Sequence, residues 1–325
     1  MFKKLKGKGL LIHHWDTDGI CSAELILEKL KDKQMKNVTP QIGNYYLTEK
    51  ELNDYSKYDY IMILDMSLPS NNVLQLANKS KIMIFDHHLG QIIDQVFHYN
   101  PIIKGENPDL YPSTSWIVND YLKNKDNLYS FLGIIGDHEQ RIKNNIDFNK
   151  KINQYCQEKN ITFDDLLEMV YLLDSNYKIG DKKAVEKAPY ELLKIRQPQE
   201  ILENKKWNKN LKILDDEINK LLKKPNEEIN NIIFKKIDTK YNIISTITRK
   251  ISWATGRDTL VINTGFFNDK DQIYMRSKKN VEPIIKKGKE LGFKCGGKKE
   301  VLGAIIPKDK TNMFIEEIML FLENI

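Results

Sequence analysis

Side chains that favour metals stand at the ends of apolar runs in this chain. Asp16 and Asp18 follow LLIHH in the stretch HHWDTDG, Asp65 ends YIMILD, Asp86, His87 and His88 end KIMIF, and Asp137 and His138 end FLGIIGDH. Ligands of open α/β sheets bind beyond the carboxyl ends of the strands. If these runs are parallel strands, all four clusters share one rim. A single strand ending in aspartate is commonplace and serves as a cap or turn. Four such endings, three with histidine, ask for more than a structural explanation. Carboxylates and imidazoles without thiolates suit manganese, magnesium or another hard-to-borderline divalent ion. Uncompensated, these carboxylates would repel one another. Two cations about 3.5–4 Å apart would neutralise them and clamp the attacking and leaving oxygens of a phosphoryl displacement. Metal-assisted hydrolysis of a phosphoester is the reaction class these residues support.

His13 and His14 point to opposite sides if the first strand runs through them, so at most one faces the metals; His14 is the candidate. Trp15 is expected either to stack on a base or to pack beneath the rim, His98 to be structural and His138 to serve locally. Ser113 and Thr114, in YPSTSWIV, are expected to cap a helix.

The elements that must position these groups alternate over the first ~150 residues, between short apolar runs and segments of helical period. LLIHH precedes GICSAELILEKLKDK, in which Ile20, Ala23, Leu27 and Leu30 recur at helical spacing. A strand is expected around Val38–Ile42, clearer ones at YIMILDM and KIMIFD, and a short helix from Pro69 to Ala77. Continuous apolar strands fit a sheet covered on both faces. The alternation predicts a doubly wound parallel α/β sheet. From Phe148 to about Asn231 the pattern is helical and lysine-rich, and Pro225 is expected to end a connector helix. A second α/β pattern follows, with strands at NIIFKKI, DTLVINTGFF and QIYMRS, helices at IISTITRKISWAT and VEPIIKKGKELGF, a glycine loop in KCGGKKEVLG, and a last amphipathic helix packed on its own domain. Trp253 and Tyr274 are expected in the core of this part, with a place for one of them along a nucleic-acid path as the alternative. The predicted division is 1–200 for the metal-binding domain with its closing helices, 201–230 for a helical connector and 231–325 for a smaller C-terminal α/β domain.

With 325 residues, 41% hydrophobic and 30% charged, the chain can build two cores and is not a disordered tail. The start MFKKLKGKGLLIHH has too short an apolar patch for a signal peptide, and no run reaches the ~18 residues that span a bilayer. A cytoplasmic protein without membrane partners is therefore expected. Three widely spaced cysteines, Cys21, Cys156 and Cys295, form no CxxC pair and are expected as reduced packing residues. The net charge is +6, yet residues 276–299 alone carry one Arg and eight Lys against two Glu. This block can attract a polyanion, though a solvated lysine face would look the same.

DTDG at 16–19, the lone Asp65, DHH at 86–88 and GIIGD at 133–137 resemble, in order and approximate spacing, the motifs of the DHH phosphoesterase superfamily. MRS at 275–277 and CGGKKEVLG at 295–303 resemble the Arg-Ser and glycine-rich elements of the DHH-associated C-terminal domain. Together these cover nearly the whole chain, which looks most similar to the RecJ-like single-strand exonucleases of archaea. The resemblance implies metal ligation by Asp16, Asp18, Asp65, His87 and Asp137, with Asp65 as the bridge, and one or two ions, manganese ahead of magnesium. It implies that Asp86 and His88 orient the site or face the phosphate, as catalytic groups. It implies substrate binding by Arg276, Ser277, Gly296, Gly297 and Lys298, and an active site in the cleft between the domains. Two positions depart from the family pattern. Ile12 stands where many members carry a histidine, so that either His13 or His14 substitutes or one ion is held weakly, and Lys298 replaces the histidine of the glycine motif.

The implied activity is exonucleolytic degradation of single-stranded DNA or RNA to mononucleotides by metal-activated water. The implied partners are single-stranded nucleic acid and a helicase or a replication or repair factor. An oligonucleotide or cyclic-dinucleotide phosphodiesterase and a non-enzymatic replication scaffold are the alternatives among relatives. The metal-site carboxylates argue against the scaffold.

Overall fold

The structure, a computed structural model, describes residues 2–323, except for the side chain of Lys298. The chain forms two compact units: one up to Tyr177 and again over Asp181–Leu211, the other Lys178–Gly180 and from Lys212 onward. Among the described residues, no helix is long and apolar enough to cross a membrane.

The first unit is built on strands β1 (Gly9–His13), β2 (Met35–Val38), β3 (Tyr60–Leu64), β4 (Lys81–Phe85) and β5 (Phe97–Tyr99). They form one sheet in the order β2-β1-β3-β4-β5, parallel throughout. Helices α1 (Thr17–Lys29), α2 (Glu49–Tyr55), α3 (Ser70–Ala77), α4 (Thr114–Tyr121), α5 (Leu128–His138), α6 (Ile146–Lys159), α7 (Phe163–Lys178), α8 (Lys182–Leu192) and α9 (Gln199–Leu202) surround or follow it. Alternate residues of the strands point to opposite faces. Leu11, Met62, Leu64, Met83 and Phe85 pack with α1 and α4, while Leu10, Ile12, Ile61, Ile63, Ile82 and Ile84 are buried on the other side. Both faces are therefore covered, as the unbroken apolar runs require.

Two expectations are corrected in this unit. FLGIIGDH is not a strand but the body of α5, started by an Asn127–Ser130 capping box. Its Phe131, Leu132, Ile134 and Ile135 are buried, and a short apolar run does not distinguish a strand from a buried helix. The strand expected around Val38–Ile42 lies earlier, at Met35–Val38, because Pro40 has no N–H to give a ladder. Helix α2 begins with a capping box of Thr48 and Glu51.

The second unit contains the end of α10 (Lys205–Lys223), then β6 (Glu227–Ile229), β7 (Ile232–Ile237), α11 (Ile244–Thr255), β8 (Thr259–Asn263), β9 (Lys270–Arg276), α12 (Glu282–Glu290), β10 (Lys294–Lys298), β11 (Val301–Pro307) and α13 (Thr311–Glu323). Its sheet runs β10-β11-β9-β8-β7-β6, with β7 and β8 parallel and the other pairs antiparallel. One face packs on α12 and α13 through Leu260, Ile273, Leu302, Phe314 and Ile318. The other packs on α10 and α11 through Leu214, Ile218, Ile247, Ile251 and Val261. The expected glycine loop is instead the β10–β11 hairpin. Gly297 kinks it at φ 147°, where a Cβ would overlap the carbonyl oxygen of Val301. Trp253, expected in the core, is 59% exposed.

Candidate metal centre

The carboxyl ends of β1, β3 and β4 and the last turn of α5 deliver the donors. After β1 the chain passes through His14 and Trp15 to Asp16, which caps α1 by accepting the Gly19 N–H at 3.2 Å. Gly19 is required there, because a side chain would run into the backbone of His14. The two histidines part as alternation demands. His13 is fully buried beside Asn37, its Nε2 3.1 Å from the Asn37 amide nitrogen, and burial pulls its pKa down to about 4. His14 turns to the donor cluster, with Nδ1 2.7 Å from Asp16 Oδ2 and 3.7 Å from Asp65 Oδ2. Trp15 is buried against His14, in ring contact at 4.3 Å.

Asp65 follows β3 in a left-handed conformation, φ 60°, which aspartate and asparagine tolerate better than other side chains. Its Oδ1 accepts the Thr114 hydroxyl at 3.0 Å and faces His87 Nε2 at 3.6 Å and His88 Nδ1 at 3.9 Å. After β4, Asp86 holds His88 Nδ1 at 2.7 Å, and Asn100 donates to the His88 carbonyl. Asp137, from α5, lies 3.1 Å from His87 Nε2. Ligating atoms come within 4.8 Å of one another in three groups: His14, Asp16 and Asp65; Asp65, His87 and His88; and Asp18, His87 and Asp137. His138 points elsewhere, its Nε2 2.9 Å from the Pro112 carbonyl oxygen.

Two supports had no clear signal in the sequence. Asp18 sits at the N-terminus of α4, where its carboxylate accepts the backbone N–H groups of Thr114 at 2.7 Å and Ser115 at 2.8 Å. The run Ser113-Thr114-Ser115 announced the helix start, and Ser113 does cap it. That the freed N–H groups would hold a distant carboxylate was hidden. Asp174 of α7 accepts from both the N–H and the hydroxyl of Thr17, at 3.0 and 2.8 Å, and so pins the start of α1. Nothing local marks Asp174 for this. An Asp174→Ala variant is expected to lose about 1–3 kcal/mol of stability, because it strands the buried Thr17 donors. Urea unfolding with an unchanged midpoint would remove Asp174 from this role.

The electrostatics ask for a cation. Burial, then the charges of Asp18, Asp16, Asp137 and Asp86, push the Asp65 carboxyl well above its usual range. Burial also raises Asp18, against its hydrogen bond from Ser115 and with Asp16 adding to the rise. Burial opposes ionisation of Asp86, but the charge and hydrogen bond of His88 outweigh it and hold the carboxyl low. For His88, burial would lower the pKa, yet Asp86, Asp137 and Asp16 raise it to about 9. His14 Nε2 is buried with no hydrogen-bond partner among the described residues. Crowded carboxylates at odds with their burial and an orphaned imidazole nitrogen suit a divalent cation of the manganese or magnesium type.

Of the other residues singled out above, Arg276, Ser277, Gly296 and Gly297 all belong to the second unit. Ser277 is buried, with its hydroxyl accepting the Lys279 N–H at 3.0 Å. The Lys298 side chain lies outside the described residues.

Comparison with known proteins follows the same lines. Residues 9–146 match the model of the DHH family, N-terminal domain. No curated protein matches the sequence. Among solved structures, the manganese complex of RecJ from Thermus thermophilus superposes with a TM-score of 0.71 at 14% identity, over 98% of this chain and 52% of that one. This chain thus spans about half the length of that RecJ. The DHH domain of a member of a ribosomal-protein family gives 0.72 at 14% identity, over 97% and 86%. PggH of Vibrio cholerae, a pGpG-specific phosphodiesterase, gives 0.50 at 11% identity, over 98% and 99%. Residues 9–146 thus match the DHH family's N-terminal domain, and the fold of the chain is RecJ-like.

Proposed function

We propose that this protein is a metal-dependent phosphodiesterase that degrades single-stranded DNA or RNA from an end to mononucleotides. The observation that carries the reading is the placement of Asp65. One carboxylate oxygen faces His14 beside Asp16, and the other faces His87 and His88. A single side chain can thus serve two neighbouring cation positions. Divalent ions held there would polarise phosphoryl oxygens and lower the pKa of water. His14, Asp16, Asp18, Asp65, His87 and Asp137 are the residues that would hold them. Asp86 fixes His88 through Nδ1, which leaves Nε2 to meet a substrate oxygen. The Asp86 carboxylate favours a ring proton on His88, and a ring so held can donate a hydrogen bond to a phosphoryl or leaving-group oxygen. The basic block at 276–299 suits a polyanionic strand.

A gel assay tests this with single-stranded DNA and RNA, each labelled at either end, in manganese or in EDTA. Manganese-dependent trimming from one end is expected, and the label position gives the polarity. A folded protein that cleaves no strand would overturn the reading. A second reading, a phosphodiesterase of short oligonucleotides, draws on the likeness to PggH, which extends over 98% of this chain and 99% of that one. Turnover of dinucleotides with no turnover of long strands would favour it.

A further inference from the structure

Trp253 stands near the end of α11, a helix that buries Ile244, Ile247 and Ile251 in the core of the second unit. The indole takes no part in that core and is 59% exposed. Its position forgoes the stabilisation that burial of a large aromatic ring brings. Two guanidinium groups border it. Arg249, one helical turn earlier, lies 5.8 Å from the ring centroid, and Arg276, at the end of β9, lies 5.9 Å away. Both lie over the ring near the outer limit of cation–π attraction, about 6 Å, and more than half of the residue's surface stays exposed beside them.

On the α11 face of the sheet, the edge strand is open at Gly296. Register places Gly296, Gly303 and Tyr274 in one row across β10, β11 and β9. Tyr274 packs under α11, which sets the row on the α11 face. The opposite face, with Leu302, Ala304 and Ile306, is filled by α12 and α13. A side chain built on Gly296 would meet nothing within 4 Å. Two residues before it, Lys294 is exposed on the same face. An exposed indole with two guanidinium groups over it, on a face that also carries the exposed Lys294, makes a surface for a flat, anionic chain.

We propose that Trp253 is a nucleobase-stacking platform: one base of a single-stranded substrate lies on the indole, and the adjoining phosphates are drawn to Arg249 and Arg276. This deepens the nuclease reading and rests on it. Stacking on an aromatic face tolerates any base, and it requires a base whose own face is free, as in an unpaired strand.

The test measures binding in EDTA, where no strand is cut. Wild type, Trp253→Ala and Trp253→Phe are titrated with a single-stranded oligonucleotide and with an abasic strand of equal length. Trp253→Ala is expected to weaken binding of the base-bearing strand about tenfold, with little change for the abasic strand. Trp253→Phe is expected to recover most of the affinity. It should lose most of the tryptophan quenching expected of wild type, since Trp15 and Trp207 are buried and Trp116 is half-buried against Phe148. Equal losses on both strands, or none, would overturn the platform while leaving the nuclease reading intact. A change of oligomeric state in Trp253→Ala with unchanged strand affinity would also overturn it, in favour of a protein contact. A wild type that binds neither strand would sink the platform and the nuclease reading together.

Discussion

Asp65→Asn is expected to reduce manganese-dependent phosphodiester hydrolysis by about 10³-fold or more, a loss of about 4 kcal/mol in transition-state stabilisation, while making the metal-free protein more stable. Asparagine keeps the shape, accepts the Thr114 hydroxyl through its own oxygen, and tolerates the left-handed backbone of this position. Only the charge is removed. The sign of the stability change follows from linkage. A carboxyl whose folded pKa lies above its unfolded value costs stability as pH rises past the unfolded pKa, and costs it in full above the folded one. Asp65 is raised by burial and by Asp18, Asp16, Asp137 and Asp86, so at neutral pH the asparagine relieves a repulsion. Each kcal/mol so relieved raises the melting temperature by about 2–4 °C for a domain of this size. Added manganese should stabilise the wild type, as any ligand of the native state does, and the variant much less. Thermal melts with and without manganese, beside the activity assay, check the three outcomes together. Wild-type activity, or an undiminished manganese shift in the variant, would end the bridging role of Asp65.

Gly133→Ala is expected to damage the centre from a position that carries no donor. A Cβ at Gly133 would overlap Ser115 Oγ and Asp18 Oδ1, in the packed contact of α5 with α1 and α4. Ser115 and Asp18 are buried, and the Ser115 N–H donates to the Asp18 carboxylate, so neither can swing away freely. The expected cost is about 1–3 kcal/mol of stability from overpacking. Displacing a donor by about 1 Å should lower turnover about 10²-fold. Gly136→Ala is the control. It lies on the same helix and makes the same gain in helix propensity, but its Cβ would meet Thr17 Cβ at 3.2 Å, a contact that small shifts relieve. Metal affinity and turnover in the two variants decide the matter. If Gly133→Ala behaves like Gly136→Ala, the close approach of α5 to Asp18 does not shape the centre.

Much of this protein could be read along the chain. The parallel sheet of the first unit followed from YIMIL and KIMIF, because a strand covered on both faces must be apolar without interruption. The break from such a run into Asp65 or Asp86-His87-His88 was equally local, and it named the chemical type of the donors and their order. The strand reading of FLGIIGDH failed for a physical reason as well: apolar residues in so short a run satisfy both periods, and the Asn127–Ser130 cap that settles the matter lies outside it. Trp253 was misplaced because composition assigns tryptophan to the interior, while its neighbours in space, Arg249 and Arg276, leave it at the surface.

What the sequence determined by itself is therefore what local rules carry: the alternation of strands and helices, and the carboxylates and imidazoles that end apolar runs. The tertiary structure decided which of these groups meet. It turned His14 rather than His13 toward Asp65, set the two oxygens of Asp65 toward different neighbours, and brought the Thr114 and Ser115 N–H groups to Asp18 and Asp174 to Thr17. Those contacts join residues separated by 22 to 157 positions. They arise from the packing of whole helices on the sheet, and packing of that range leaves no periodic trace in the sequence around either partner.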